Sequence, residues 1–185
     1  MENTIDVVAT RALLHLAAKD DPRAWMNGVH VEFQENKTVY VATNGHIFGV
    51  YTDNDAKNDC VFSLTIPYGI AKQIKINKRG SRLGNLIYDP ETNAARLIYY
   101  ASEQDFGFTP LPSFPYDMSK MIPDSTSGEV AQFNAEYVYV FAQVNKALGA
   151  KHPGRIKIEH NGDRGALVRL PNYEQFLGVL MPIRI

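Results

Sequence analysis

Ile156-Lys157-Ile158-Glu159-His160-Asn161-Gly162-Asp163-Arg164-Gly165-Ala166-Leu167-Val168-Arg169-Leu170 reads as a β-hairpin. Ile156 and Ile158 alternate with charge. Ala166, Val168 and Leu170 alternate again. Asn161-Gly162 between them supplies the residue pair that a tight turn favours. Strands joined in this way pair antiparallel. Outward from the hairpin the same signature recurs. Residues 178–185 form a last strand, residues 29–33 and 39–43 alternate, and residues 61–66, 86–88 and 96–100 are further strand candidates.

Three stretches have helical spacing instead. In residues 5–19, Ile5, Val8, Ala12 and Leu16 share one side, with Arg11, His15 and Lys19 on another. Residues 67–76 open with Pro67, suited to a first helical position, and place Ile70, Ala71 and Ile74 on one side. Residues 134–148 begin at a capping residue, Asn134. They carry a stripe of Tyr137, Phe141, Val144 and Leu148 and stop at Gly149. The order is helix then strands, three times over. That predicts an α+β fold of three strand–helix–strands units, with antiparallel sheets and the helices covering one face. Three prolines between 109 and 115 and a polar run at 123–128 place a linker across 110–128.

Composition narrows the function. Hydrophobic residues at 45% and charged residues at 21% describe an ordinary globular chain. The net charge of −1 argues against strong non-specific nucleic-acid binding by bulk charge, and leaves room for a basic patch on one face. The single cysteine, Cys60, allows no intrachain disulfide and fits a reducing cytoplasm. At the head of an apolar run, it reads as a small buried hydrophobe. No basic N-terminal stretch is followed by an apolar one, and no apolar run approaches the ~20 residues of a membrane span.

No enzyme signature stands. Gly80 and Gly84 are spaced wrongly for a phosphate loop. The five histidines do not pair with a second ligand at a metal-binding spacing. His46, in Asn44-Gly45-His46, has no sequence-near acid or nucleophile to make it a general base. The expectation is a binding module without metal or cofactor. The basic residues are more suggestive, because Lys or Arg lies off the apolar stripe of every helix. Exposed helix faces are commonly charged. Alternatively, three helices side by side present one basic surface to a phosphate backbone, through Arg11, Lys72, Lys75, Lys78, Arg79 and Lys146.

Five short segments resemble the bacterial sliding DNA clamps, the β subunits of replicative polymerases. They are Trp25-Met26-Asn27-Gly28-Val29, Val41-Ala42-Thr43-Asn44-Gly45-His46, Ile66-Pro67, Phe114-Pro115-Tyr116-Asp117 with Met121-Ile122-Pro123, and Val179-Leu180-Met181-Pro182-Ile183-Arg184-Ile185. Three departures stand out. Asn44 replaces an Asp, Ile47 replaces an Arg, and Tyr116-Asp117 transposes an Asp-Tyr. The resemblance implies a shortened clamp. Residues 1–123 correspond to the middle domain, and residues 124–185 to half of the last domain, with completion by another subunit as the expectation.

The resemblance further implies an apolar pocket for short linear peptides of polymerases and other clamp clients. Its residues are Met26, Thr43, Gly45, His46, Ile47 and Phe48, then Pro67, Ile70 and Ile74 as a second wall, with Val179, Met181, Pro182, Ile183, Arg184 and Ile185 closing it. Sequence-independent contact with duplex DNA and a homo-oligomer are implied as well. Three units per chain set against the family's twelve-unit ring suggest four chains (12/3 = 4), and pairing of two third units gives a dimer instead. The competing expectation is a clamp mimic or regulator that binds client peptides, or a clamp, without encircling DNA. An enzyme on an unrelated α+β fold is the third.

Overall fold

The computed structural model describes residues 1–183. The side chain of Ser119 is not described, and Arg184 and Ile185, expected in the pocket, lie outside the described residues. The first strand, β1 (Glu2–Asp6), was not expected. Asp6 ends it because its carboxylate accepts the N–H groups of Val8 and Ala9, at 2.8 and 2.9 Å. That is an N-cap, so α1 is only Val7–Leu13, extended by a 3₁₀ turn over Leu14–Leu16. Three antiparallel strands follow, β2 (Gly28–Gln34), β3 (Lys37–Thr43) and β4 (Ile47–Asp53).

The second unit is β5 (Phe62–Pro67), α2 (Tyr68–Gln73), β6 (Leu83–Asp89), β7 (Ala94–Tyr99) and β8 (Gln104–Phe108). Pro67 caps α2 rather than beginning it. The third unit is α3 (Ala135–Leu148), β9 (Lys157–Glu159), β10 (Ala166–Leu170) and β11 (Tyr173–Leu180). Asn134 and Gly149 bound α3 as the sequence indicates. The Asn161-Gly162 segment joins two antiparallel strands, in a six-residue connection rather than a two-residue turn.

The strands form two sheets, one in the order β1-β6-β7-β8 and one in the order β5-β2-β3-β4-β11-β10-β9. The first two units interlock, since β1 of one joins the sheet of the other and β5 returns the exchange. The third unit is stitched to the first through β4 and β11, with Gly49 opposite Gly178. A Cβ on Gly49 would stand 2.3 Å from Leu16 Cδ1, and one on Gly178 2.5 Å from Phe141 Cε1. Only glycine lets the helical layer press this closely on the junction.

All three helices share one side, with α1 touching both α2 and α3. Phe141, Val144 and Leu148 of α3 are buried in the same core as Leu13 and Leu16. The opposite face of the seven-stranded sheet carries a smaller cluster of Val39, Val41, Phe48, Val50, Leu167 and Val179. Phe114, Met118, Met121 and Ile122 of the linker cover it.

Candidate functional site

The turn after β3 is built by two side chains. The Asn44 Oδ1 accepts the N–H groups of His46 and Ile47, at 3.0 and 3.1 Å. Thr43 Oγ1 donates to the Ile47 carbonyl at 2.7 Å and accepts the Gly45 N–H at 3.0 Å. An Asx-type turn needs only the side-chain oxygen, so Asn44 performs the part that Asp would. Gly45 takes φ 90°, and a Cβ there would crowd Arg23 and Met26. The turn therefore needs a residue with left-handed freedom and no side chain.

The end of β11 arrives beside this turn. The Met181 N–H donates to the His46 carbonyl at 3.0 Å, and the Ile183 N–H donates to the Gln132 carbonyl at 2.9 Å. Between the two segments lies a slot of about 320 Å³. Its floor is Met26, Ile47, Phe48 and Val179, all buried. Thr43, Gly45, His46 and the part-exposed Met181 line its sides. The remaining wall comes from Trp25, Tyr116 and Met121, with Arg23 at the mouth.

Trp25 is held edge-on by Phe114 and Tyr116, with ring centroids 5.1 and 5.5 Å away. Such edge-to-face pairs favour one arrangement of the aromatic wall. The Arg23 guanidinium grips the Asp21 carboxylate through two bonds of 2.9 and 3.1 Å. Those bonds hold the Asp21 carboxyl down at about 2. The linker is fastened behind the wall. The Phe114 N–H donates to His30 Nδ1 at 3.4 Å, and Thr65 Oγ1 donates to the Pro112 carbonyl at 3.0 Å. Burial pushes His30 down to about 4, so its ring is neutral and its Nδ1 can accept.

Of the residues expected here, Met26, Thr43, Gly45, His46, Ile47, Phe48, Val179 and Met181 meet in the slot. Pro67, Ile70 and Ile74 do not. Pro67 pairs with Gly28 at the end of β5, and Ile74 is buried on the helix side. The proline-rich linker stands where α2 was expected. Pro182 and Ile183 continue past the slot without lining it. Arg23, Trp25, Tyr116 and Met121 were missed, although three of the four fall inside segments that carried the resemblance.

On the helix side, a cleft of about 850 Å³ separates α3 from the segment at residues 76–82. Lys78, Arg82 and Lys146 line it, with His15, Tyr139 and Gln143. Arg82 is engaged with Asp6 at 2.8 Å. Burial, then the nearby Arg11, hold His15 below its ordinary value, so it adds no charge at neutral pH. Lys72, Lys75 and Arg79 are exposed on or just after α2, and Arg11 is half-buried on α1; none of the four lines the cleft. Of the six cations singled out in the sequence, the cleft gathers Lys78 and Lys146.

Among the described residues, no group of three acidic, histidine or cysteine side chains is placed to hold a metal, and no helix is long and apolar enough to cross a membrane. No protein-family model and no curated protein matches the chain. Solved structures do. The DNA polymerase III β subunit from Pseudomonas aeruginosa superposes with a TM-score of 0.75 at 14% identity, over 100% of this chain and 67% of that one. The β subunit from Thermotoga maritima gives 0.73 at 13%, over 100% and 66%. A sliding clamp from Pseudomonas aeruginosa bound to griselimycin gives 0.71 at 13%, over 100% and 66%. The chain thus has the sliding-clamp fold and spans about two thirds of the length of the clamps it matches.

Proposed function

We infer that this protein is a clamp-type tether: the slot receives short linear peptides of client proteins, and the helix side rests on duplex DNA in a homo-oligomer. The observation that carries the reading is the hydrogen bond from Met181 to His46, which joins two distant segments around an apolar slot with a polar mouth. A slot of this make-up suits a short apolar anchor whose orientation is fixed by a few polar groups. Met26, Met121 and Met181 give it adaptable walls. Tethering needs no chemistry. It raises the client's local concentration on DNA. Contacts through Lys78 and Lys146, joined by Arg11, Lys72, Lys75 and Arg79, are with phosphates and carry no sequence preference.

The net charge of −1 supports a second reading, a regulator that captures client peptides without holding DNA. One paired experiment separates them. A labelled peptide with a leucine or phenylalanine anchor is titrated by fluorescence anisotropy, and retention of a labelled duplex is followed against salt. Peptide binding together with salt-sensitive DNA retention is the expected result. Peptide binding alone selects the regulator, and absence of both removes the proposal.

A further inference from the structure

The cleft on the helix side has a make-up that phosphate contact alone does not use. α3 walls it on one side and residues 76–82 on the other, around a space of about 850 Å³. Val8 and Leu148 are buried at its floor, with Ile76 and Ala147 part exposed beside them. Tyr139 lines it too and is 63% exposed, so most of its ring is open to solvent. Tyr139, Gln143 and Lys146 follow at i, i+4 and i+7. They form one stripe about 10 Å long on α3.

Both rims are basic and fastened. Across from α3, Gln104 exchanges two 2.8 Å bonds with the backbone of Lys75. The Tyr99 hydroxyl donates to the Ser81 carbonyl at 2.8 Å, and the Asn77 side chain donates to the Ala101 carbonyl at 2.6 Å. These bonds fix the stretch that carries Lys78 and Arg79. At the end of α3 the lining reaches Ala150, and the chain runs straight on into Lys151-His152-Pro153-Gly154-Arg155. The buried Asn145 ties this loop down by donating to the carbonyls of Pro153 and Arg155, at 3.0 and 3.2 Å. Lys151 and Arg155 are exposed.

Charge in the cleft has one sign. Lys78, Arg82 and Lys146 line it, and among the described residues no acidic side chain does. Asp6 is engaged by Arg82 at 2.8 Å. Glu136 lies one turn before Tyr139 on α3, outside the lining.

We propose that the cleft binds unpaired DNA, with one base stacked on Tyr139 and the phosphates on either side of it held by Lys78 and Lys146. This deepens the proposed function and rests on its reading of the helix side as the DNA side. A duplex keeps its base faces stacked on one another, so it would meet only the rims, through its phosphates. A single strand has a face to offer at every base. An aromatic ring on apolar ground between cations holds such a strand without regard to sequence. The Gln143 amide both donates and accepts, so it can meet the edge of any stacked base.

The test uses the whole chain with two probes, a short oligothymidylate and a blunt duplex. Tyr139→Ala and Tyr139→Trp are compared with the native chain. The site is exposed, and thermal melts report intact folding. Tyr139→Ala should weaken oligothymidylate binding at least tenfold, as expected for loss of a stacked base, and change blunt-duplex retention by less than twofold. Tyr139→Trp should keep the affinity, and its added indole should be quenched by the oligothymidylate. The native chain, whose tryptophan is Trp25 in the slot, should show no quenching. An oligothymidylate that does not bind, or that binds Tyr139→Ala as well as the native chain, overturns the proposal. So does an equal loss for the blunt duplex, which would make Tyr139 part of a backbone contact. Quenching in the native chain overturns it as well, by placing the strand in the slot. Duplex retention tells the two readings apart: a chain that holds the blunt duplex but not the single strand loses only this site, and one that holds neither loses the DNA side altogether.

Discussion

Met181 donates its backbone N–H to the carbonyl of His46, and through that bond the end of the third unit becomes a wall of a slot whose floor is Met26, Ile47 and Phe48 of the first unit with Val179 of the third. The ring of His46 meanwhile stacks on Tyr137 of α3, with centroids 5.2 Å apart and planes within 15°. The slot is thus held from both ends of the third unit, and its shape depends on the junction between β4 and β11.

Substituting Met181→Asp tests the slot without touching the core. Met181 is 39% exposed, so stability should change by less than about 0.5 kcal/mol. A carboxylate at the apolar wall should weaken peptide binding at least tenfold, about 1.4 kcal/mol. Anisotropy titration beside a thermal melt checks both halves. Equal loss in the two would mean that the residue is structural.

The turn itself is open to a two-step exchange. Asn44→Ala removes the acceptor of two backbone N–H groups and should cost about 1–2 kcal/mol. Asn44→Asp keeps the acceptor and should restore most of it. Chemical denaturation of the two variants gives the comparison, and an Asp variant as unstable as the Ala one would contradict the assigned geometry.

The junction predicts a steric penalty. Gly49→Ala drives a methyl group to 2.3 Å from the Leu16 side chain in a fully buried place. Overpacking of this kind costs about 1–3 kcal/mol. Because the slot straddles the same junction, peptide affinity should fall with stability.

Acid should loosen the linker through His30. Its pKa in the folded chain, about 4, lies below the ordinary histidine value, so the unfolded chain binds the extra proton between the two. The stabilisation from neutral His30 is complete above about pH 6.5 and is lost as pH falls towards 4, on the order of 2–3 kcal/mol. Protonation also removes the acceptor of the Phe114 N–H. A stability profile from pH 8 to 4 should slope downward over that window and flatten in His30→Gln; an identical slope in the variant would reject His30 as its source.

On the helix side, Lys78→Ala and Lys146→Ala should each reduce the salt dependence of duplex retention by about one unit of slope, with no change between DNA sequences. Filter retention over a salt series measures it. Unchanged slopes would move the DNA contact away from the cleft.

Much of this was legible in the sequence where a local signal decides the structure. Asn134 and Gly149 bound α3 because caps act within one turn, and in residues 29–33 Val29, Val31 and Phe33 alternate with the polar His30 and Glu32 because those three face the core. β8 was invisible, since Gln104-Asp105-Phe106-Gly107-Phe108 carries an acid and a glycine on its open face and only two apolar residues on the other. β4 was missed for the opposite reason: it is buried on both faces, so Ile47 to Tyr51 do not alternate. β1 was absorbed into the first helix, because Ile5 falls in register with Val8 and Ala12 while the Asp6 cap starts the helix after it. In the slot, the β3 turn and the β11 end were readable as motifs. The wall from Tyr116 and Met121 was not, since it depends on where a proline-rich linker lies down in space, which no periodicity encodes.

Trp25 is the one tryptophan of the chain and forms part of the slot, so its fluorescence reports directly on occupancy. Titration with a short peptide bearing a leucine or phenylalanine anchor should shift its emission saturably in the native chain and leave it unmoved in Met181→Asp. An emission that ignores the peptide, or that shifts alike in both proteins, would contradict the slot as the client-binding site.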